Sequence, residues 1–235
     1  MIVIVDFDQL ISVAEKLGID RALIEIWIPR TEFVKAVVDG ENLSITRRAE
    51  PFFGWAFGPS PAIDPEWPEF AVNRSTPKEK TSGFTLQGQW DAYGIHTHAI
   101  NSFDENSYEE NSYELLHDHD EINAVIEAHA PELSIRADDS EVVAWIGIRK
   151  DSVVALGALC RWESGFHVLS AIVVATSERG KGFGRRITES LVDYSYKHGI
   201  NYVALGVRAD NEAAIATYNR IGFKKLEEFN TFSRK

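Results

Sequence analysis

The stretch 174–186 has the residue types needed to bind a phosphate group. An apolar run that ends at Val174 leads into a glycine-spaced basic loop, and the loop leads into a helical pattern. Glycines allow tight turns and let backbone N–H groups approach an anion, and the first turn of a helix adds unpaired N–H groups. The sequence therefore predicts a pyrophosphate-binding loop. The residues expected to form it are Arg179, Gly180, Lys181, Gly182, Phe183, Gly184 and Arg185.

Two common phosphate loops do not fit this stretch. A dinucleotide fingerprint has the form G-x-G-x-x-G, but counting on from Gly182 places Ile187 at the third glycine position. A P-loop needs a glycine, lysine and hydroxyl residue in series, and no window of the chain supplies that series. The pattern that fits is R-x-x-G-x-G, formed by Arg179, Gly182 and Gly184. A plain glycine-rich turn with solvated bases remains the alternative.

A second motif follows at a fixed distance. Residues 201–207 form an apolar run typical of a buried strand, and the next segment contains N-x-x-A-x-x-x-Y-x-x-x-G-F, from Asn211 to Phe223. The two motifs together resemble the GNAT acetyltransferase superfamily, whose coenzyme A loop and second signature occur in this order. The resemblance covers roughly the C-terminal half of the chain, from about Ser112.

The resemblance implies an acyltransferase that moves an acetyl group from acetyl-CoA to a primary amine of an unidentified acceptor. The amine would attack directly in a ternary complex, with the pantetheine arm lying along the strand Ile172, Val173 and Val174. Two departures from the family pattern are Thr176, where a proline is common, and Val168, where some members have a glutamate. The second departure leaves open a non-catalytic acyl-CoA-binding regulatory module.

Tyr218 is the predicted catalytic acid. It lies seven positions after Asn211, so both residues fall on one face of a helix. A phenol with a pKa of about 10 can protonate a coenzyme A thiolate, whose conjugate thiol has a pKa of about 8.5. A tyrosine of the hydrophobic core is the alternative. Asn211 is expected either to cap the helix or to contact the coenzyme.

The general base is harder to identify. Glu163, at the end of the preceding strand, is the first candidate and His167 the second, although each has the spacing of an ordinary hairpin residue. Cys160 lies in an apolar strand and is expected to be a core residue rather than a nucleophile. The sequences 117–120 and 96–98 each contain paired histidines, but they lack a complete zinc ligand set, so no metal is predicted.

Composition bounds the class of protein. The 235-residue chain has a net charge of −12 and one cysteine, which excludes an intramolecular disulfide. It contains no signal-peptide pattern and no run of the ~18 apolar residues that a membrane helix needs, so a cytoplasmic protein without a membrane partner is predicted. Acidic residues crowd into 101–140, which argues against nucleic acid as a partner. That stretch is either a solvated surface or an attractor of cationic amines.

Alternating strand and helix patterns predict an α/β protein with a mixed sheet. We expect a GNAT acyl-CoA N-acyltransferase fold over 111–235, preceded by a smaller α+β domain over 1–110, with a polar linker at 101–111. Residues 51–85 are rich in Pro, Gly, Ser and aromatics and receive no assignment.

The two halves share a weak internal similarity. Residues 6–15 align with 118–127, and predicted hairpins follow at nearly the same offset. A tandem acetyltransferase with a degenerate first half would give this pattern, and so would a chance resemblance between two strand–helix starts. The first half has no glycine-spaced basic loop, so no coenzyme site is predicted there.

Overall fold

The computed structural model describes residues 1–48, 53–100 and 113–234. The helices in these ranges are α1 (Phe7–Lys16), α2 (Arg21–Trp27), α3 (His119–His129), α4 (Phe183–Lys197) and α5 (Glu212–Ile221). The strands are β1 (Ile2–Ile4), β2 (Phe33–Asp39), β3 (Asn42–Arg47), β4 (Phe53–Phe57), β5 (Glu69–Asn73), β6 (Phe84–His96), β7 (Glu114–Leu116), β8 (Val142–Arg149), β9 (Val153–Arg161), β10 (His167–Val174), β11 (Tyr202–Arg208) and β12 (Lys224–Arg234).

The chain forms two compact units, and both are discontinuous in sequence. Unit 1 contains Met1–Ala92, Val207–Asp210 and Lys225–Lys235, and unit 2 contains Tyr93–Gly206 and Asn211–Lys224. These units differ from the predicted division at residue 110, because the C-terminal strand β12 pairs antiparallel with β5, Phe229 lying opposite Asn73. The predicted linker at 101–111 lies outside the described residues.

Unit 1 is a sheet covered by two short helices. Its strand order is β1-β2-β3-β4-β5-β12, followed by the first part of β6. Strands β1, β2, β3 and β4 pair antiparallel in succession, whereas β4 and β5 are parallel. Asp6 starts α1 by accepting a hydrogen bond from the Gln9 N–H at 2.8 Å. The apolar faces of α1 and α2 pack with Leu43, Ile45, Trp55 and Phe57 of the sheet.

Unit 2 is also a mixed sheet with helices packed on it. Its strand order is the last part of β6, then β11-β10-β9-β8-β7. Strands β7, β8, β9 and β10 pair antiparallel in succession, whereas β10 and β11 are parallel. Ile122 and Ile126 of α3 pack against this sheet with Trp145, Leu156 and Cys160. The predicted mixed α/β architecture is confirmed.

The two units repeat one order of elements. Each has a short strand, then helix (α1 and α2 in unit 1, α3 in unit 2), three antiparallel strands and a parallel strand, from β1 to β5 in unit 1 and from β7 to β11 in unit 2. The units differ at the parallel connection, which is helix α4 in unit 2 and the helix-free residues 58–68 in unit 1. This shared order is what a tandem repeat predicts.

Residues 51–85 receive no assignment from the sequence, although β4, β5 and the start of β6 lie there. Strands β4 and β5 are buried on both faces over most of their length, so they lack the polar–apolar alternation that identifies a strand. Helix α2 also receives no assignment from the sequence, since it spans only seven residues. None of the helices described here is long and apolar enough to cross a membrane.

Candidate functional site

The glycine loop connects the end of β10 to the start of α4. A short 3-10 turn at Thr176–Glu178 leads into Gly180 and Gly182, whose φ angles are 78° and 86°. These left-handed conformations are costly for residues with a Cβ atom, which explains the glycines. A Cβ atom built on Gly180 or Gly182 would meet nothing within 4 Å. The loop therefore presents its backbone to open space at these two positions.

The start of α4 differs from that of every other α-helix in the described ranges. Asp6, Asp20, Asp118 and Asn211 each cap their helices by accepting a backbone N–H. Helix α4 instead begins after Gly182, which has no side chain to serve as a cap. The N–H groups of its first turn and the positive end of its dipole are therefore available to an anion.

Positive side chains border this loop. The Nζ atoms of Lys150 and Lys181 lie 2.7 and 3.0 Å from the carboxylate of Glu178. These hydrogen bonds, the one from Lys150 first, lower the pKa of Glu178. The Lys150 ammonium also lies 4.8 Å from the ring centre of Phe183. Sequence analysis missed Lys150 because it lies in the turn between β8 and β9, far from the loop along the chain.

The side chain of Arg179 holds the loop in place rather than pointing at an anion site. Its guanidinium donates to the carbonyl oxygen of Val174 at 3.3 Å and to that of His129 at 2.8 Å. The imidazole Nδ1 of His129 in turn lies 3.4 Å from the backbone N of Thr176 and 3.2 Å from its Oγ1. The end of α3 is thereby connected to both ends of the turn. No motif in the sequence indicated this role for His129.

Two basic residues next to the helix start, the predicted Arg185 and its neighbour Arg186, also have partners within the protein. Arg185 pairs with Glu189 one turn further along α4, with Nε and Oε1 2.7 Å apart. Phe183 is buried, and the guanidinium of Arg186 lies 5.3 Å from its ring centre. The backbone N–H groups at 180–184, rather than the arginine side chains, are therefore the groups best placed for a phosphate.

Strand β10 contains a bulge in its middle. The register with β9 shifts between Ser170 and Val173, and Ala171 has a φ of 47°. Ala171 is the one non-glycine residue of the described chain with a positive φ, a strained state that is common at functional sites. No residue pattern indicates this bulge, since a left-handed bulge position more often carries glycine.

Strands β10 and β11 pair over a very short distance. In the described residues a single register pair joins them, Val168 opposite Ala204. After the bulge, Val173 and Val174 pair with Leu156 and Ala155 of β9 and have no register partner on β11, while Ile172 lies within the bulge. One edge of the predicted coenzyme-binding strand is therefore open next to the bulge and before the glycine loop.

Tyr218 lies on α5 and is 7% exposed. Burial raises the pKa of its phenol to about 12. Its ring packs between those of Tyr93 and Phe223, at centroid distances of 6.3 and 5.7 Å. Asn211 starts the same helix, and its Oδ1 accepts a hydrogen bond from the Ala214 N–H at 3.2 Å. Asn211 thus caps α5, the more conservative of its two predicted roles.

The candidate bases lie at the opposite end of β10 from the glycine loop. Glu163 is exposed in the turn between β9 and β10, and His167 is the first residue of β10. Burial, and then the positive charge of Arg161, lower the pKa of His167 below its usual 6.5. His167 is therefore a neutral imidazole near neutral pH and can accept a proton.

Cys160 is fully buried in β9, and burial, followed by nearby Glu141 and Asp139, raises its pKa to about 12. Its thiol therefore stays protonated and unreactive. Asp118 caps α3, and the rings of His96 and His98 pack 5.4 Å apart. Across 1–48, 53–100 and 113–234, no three His, Cys, Asp or Glu side chains gather closely enough to hold a metal ion.

Comparison with known proteins agrees with this geometry. The family model of the Acetyltransferase (GNAT) family matches residues 94–223. The chain belongs to this family. The matched GNAT region includes the bulged strand, the glycine loop, α4 and Tyr218, and the resemblance recognised in the two sequence motifs is confirmed.

Individual GNAT relatives match over shorter stretches. The chain is 37% identical over 79 residues to an uncharacterized N-acetyltransferase, YobR, of Bacillus subtilis, covering 34% of this chain and 32% of that protein. It is 33% identical over 85 residues to the N-alpha-acetyltransferase RimI of Mycobacterium tuberculosis, covering 36% and 47%. The chain thus spans between a third and a half of the length of these two relatives.

Solved GNAT structures cover almost the whole chain. A GCN5-related N-acetyltransferase from Sphaerobacter thermophilus aligns with a TM-score of 0.60 and 11% identity, covering 96% of this chain and 90% of its own. Another from Kribbella flavida aligns with a TM-score of 0.56 and 14% identity, covering 94% and 95%. At these identities the likeness concerns the fold, and it includes the N-terminal unit.

Proposed function

We propose that this protein is an acetyl-CoA-dependent N-acetyltransferase that acetylates a primary amine. One observation carries the proposal: an uncapped helix N-terminus, preceded by two left-handed glycines, follows a strand whose edge is open. The pyrophosphate of acetyl-CoA would accept hydrogen bonds from backbone N–H groups between Gly180 and Gly184. Lys150 and Lys181 would add positive charge at the same loop.

The open edge of β10 suits the rest of the coenzyme. The amide groups of a pantetheine arm can pair with the backbone of Ile172, Val173 and Val174 as an added strand does. At the bulge, the shifted register frees backbone groups from pairing with β9. A backbone N–H there can polarise the thioester carbonyl as charge develops on its oxygen.

The chemical step requires one acid and one base. The neutral amine attacks the thioester carbonyl carbon, a C–N bond forms, the C–S bond breaks and the sulfur leaves with the electron pair. Tyr218 gives its phenolic proton to that thiolate. Because the pKa of Tyr218 is raised to about 12, the phenol carries its proton throughout the neutral range.

The proton released by the amine goes to a group near the start of β10. Glu163 is an exposed carboxylate that can exchange this proton with water, and His167 is a neutral imidazole at the same end of the strand. Both fit direct attack without an acyl-enzyme intermediate, a route also supported by the inert thiol of Cys160. Replacing each residue in turn distinguishes them, because only loss of the acting base should change the pH dependence of the rate.

Calorimetric titration with acetyl-CoA tests the proposal. Gly182→Asp places a carboxylate at the start of α4, and Gly199→Asp is a matched control near the other end of this helix. Both glycines have positive φ and open space around a Cβ atom, so the backbone strain is comparable. We expect binding by the unaltered protein and the control, and loss of binding by Gly182→Asp through charge repulsion. If the unaltered protein does not bind acetyl-CoA, the proposal is wrong.

A non-catalytic acyl-CoA-binding module is the second candidate. It is favoured by Val168, which stands where some GNAT members have a glutamate and which leaves the strand without an acidic side chain at that point. Such a module would bind acetyl-CoA through the same loop but would acetylate none of a panel of amines.

A further inference from the structure

Unit 1 contains a cavity of about 440 Å³ that the proposed acetyl transfer does not use. It lies where the parallel strands β4 and β5 end, at Phe57 and Asn73, and the loop between α1 and α2 forms another wall. Ligands in α/β proteins commonly bind outside the carboxyl ends of parallel strands. Its volume is within the range of small-molecule sites.

The cavity is lined by a buried amide that has an unused donor. Asn73 is 5% exposed, and its Oδ1 accepts a hydrogen bond from the Gly58 N–H at 2.9 Å. In the described part of the chain, no group accepts a hydrogen bond from its Nδ2. This Nδ2 is therefore a donor at the cavity that a carbonyl oxygen of a bound molecule can accept from.

Gly58 allows the β2–β3 turn to lie close to the end of β4. It has a φ of 105°, and a Cβ atom there would lie 2.6 Å from the carbonyl oxygen of Glu41. The turn between β2 and β3 can therefore approach the ends of β4 and β5, and Glu41 of this turn lines the cavity. The close packing of the β2–β3 turn against the end of β4 therefore determines the shape of the cavity at this wall.

The charges around the cavity favour a cation. Asp20, Glu41 and Glu227 line it, against one ammonium group, that of Lys225. The Lys225 Nζ lies 3.2 Å from Asp91 Oδ2 and 2.5 Å from Glu228 Oε1, so its charge is already balanced. The lining carboxylates do not form a cluster that could hold a metal ion. They suit an organic cation, whose hydrocarbon part can rest on Leu23 and Phe57.

We propose that this cavity binds a small primary ammonium compound that also carries a carbonyl oxygen. The carboxylates hold the ammonium group, and the Nδ2 of Asn73 donates to the carbonyl oxygen. The site belongs to unit 1 alone and does not depend on the proposed coenzyme site of unit 2.

L-leucinamide is a suitable probe, since it combines an ammonium group, a carbonyl oxygen and a hydrocarbon side chain. Its binding to the full chain is measured by calorimetry in the absence of acetyl-CoA. N-acetyl-L-leucinamide lacks the positive charge, and isoamylamine lacks the carbonyl group. We expect L-leucinamide to bind more tightly than either compound.

Two pairs of variants locate the site. Glu41→Gln with Glu227→Gln removes two charges from the cavity, and we expect at least about a tenfold weaker affinity for L-leucinamide. Glu69→Gln with Glu79→Gln makes the same change in net charge elsewhere in unit 1 and should leave the affinity unchanged. Asn73→Ala should abolish the preference for L-leucinamide over isoamylamine, and thermal unfolding checks that it folds.

The proposal is overturned if the unaltered protein does not bind L-leucinamide at concentrations up to about 10 mM. It is also overturned if the neutral N-acetyl compound binds equally well, or if both pairs of variants weaken binding alike. If Asn73→Ala does not fold, the comparison of the two charge pairs still decides the outcome. Acetyl-CoA binding by the same protein samples reports on the proposed function separately.

Discussion

At the scale of single residues, Tyr218 distinguishes an enzyme from a binding module. Tyr218→Phe removes the proposed proton donor and leaves the ring in its place between Tyr93 and Phe223. We expect kcat to fall about 100-fold, in the range usual for a lost general acid, with the Kd for acetyl-CoA unchanged. Steady-state kinetics and calorimetry measure the two quantities. An unchanged kcat would exclude Tyr218 as the acid.

His167 gives a pH-dependent prediction. Its pKa is lowered in the folded protein, so the unfolded chain binds more protons just below pH 6.5. The free energy of unfolding should therefore fall as the pH drops below 6.5, and His167→Gln should reduce this dependence. Urea denaturation at several pH values measures it, with His119→Gln, an exposed histidine, as the control. A pH dependence that is identical in both variants would contradict the prediction.

The same variant addresses the general base. If His167 takes the proton of the amine, kcat/KM should lose its acid limb in His167→Gln. If Glu163 takes the proton, that limb should remain in His167→Gln and change in Glu163→Gln. The pH–rate profiles of the two variants measure which of these outcomes occurs.

At the scale of secondary-structure elements, the contact between α3 and the glycine loop is the feature to test. Thr176 has a backbone N–H, and His129 accepts a hydrogen bond from it. We expect His129→Ala to weaken acetyl-CoA binding about tenfold, because the turn before the loop loses a fixed partner. The value of kcat at saturating acetyl-CoA should change little. Calorimetry and steady-state kinetics measure the two effects.

The matched control is His119→Ala, the same substitution at the first residue of this helix. His129→Asn is a second control, since its carboxamide retains an acceptor and should recover part of the affinity. If both alanine variants bind acetyl-CoA as the unaltered protein does, His129 does not position the loop.

At the scale of the whole molecule, the C-terminal strand completes the N-terminal sheet. Strand β12 pairs with β5 and contributes Phe229 and Phe232, both buried, to the core of unit 1. A fragment of residues 1–110 should therefore lack cooperative thermal unfolding, because an edge and part of its core are exposed. Adding a peptide of residues 224–234 should restore cooperativity, measured by circular dichroism. A peptide with Phe229 and Phe232 both replaced by Ala is the control.

If the fragment alone unfolds cooperatively, residues 1–110 fold as an independent domain without β12, as the predicted boundary at residue 110 implies. If only the added peptide restores cooperative unfolding, the N-terminal domain includes the C-terminus of the chain. The pairing of β12 with β5, two strands far apart in the sequence, then defines unit 1, rather than the linker.

The sequence by itself determined the family and the local elements of its second half. The coenzyme loop, α4 and α5 depend on glycine spacing, capping and helical periodicity, which act over a few residues, so the motifs around Gly182 and Tyr218 were sufficient to predict them. Strands β4 and β5 escaped prediction because burial on both faces removes the alternation that marks a strand.

Only the tertiary structure decided which distant residues meet. The positions of His129 and Lys150 at the glycine loop, the strained Ala171 and the open edge of β10 result from packing between elements far apart in sequence. The pairing of β12 with β5 and the cavity at Asn73 arise in the same way. Contacts of this kind depend on the complementarity of whole surfaces, and no local pattern of residues encodes them.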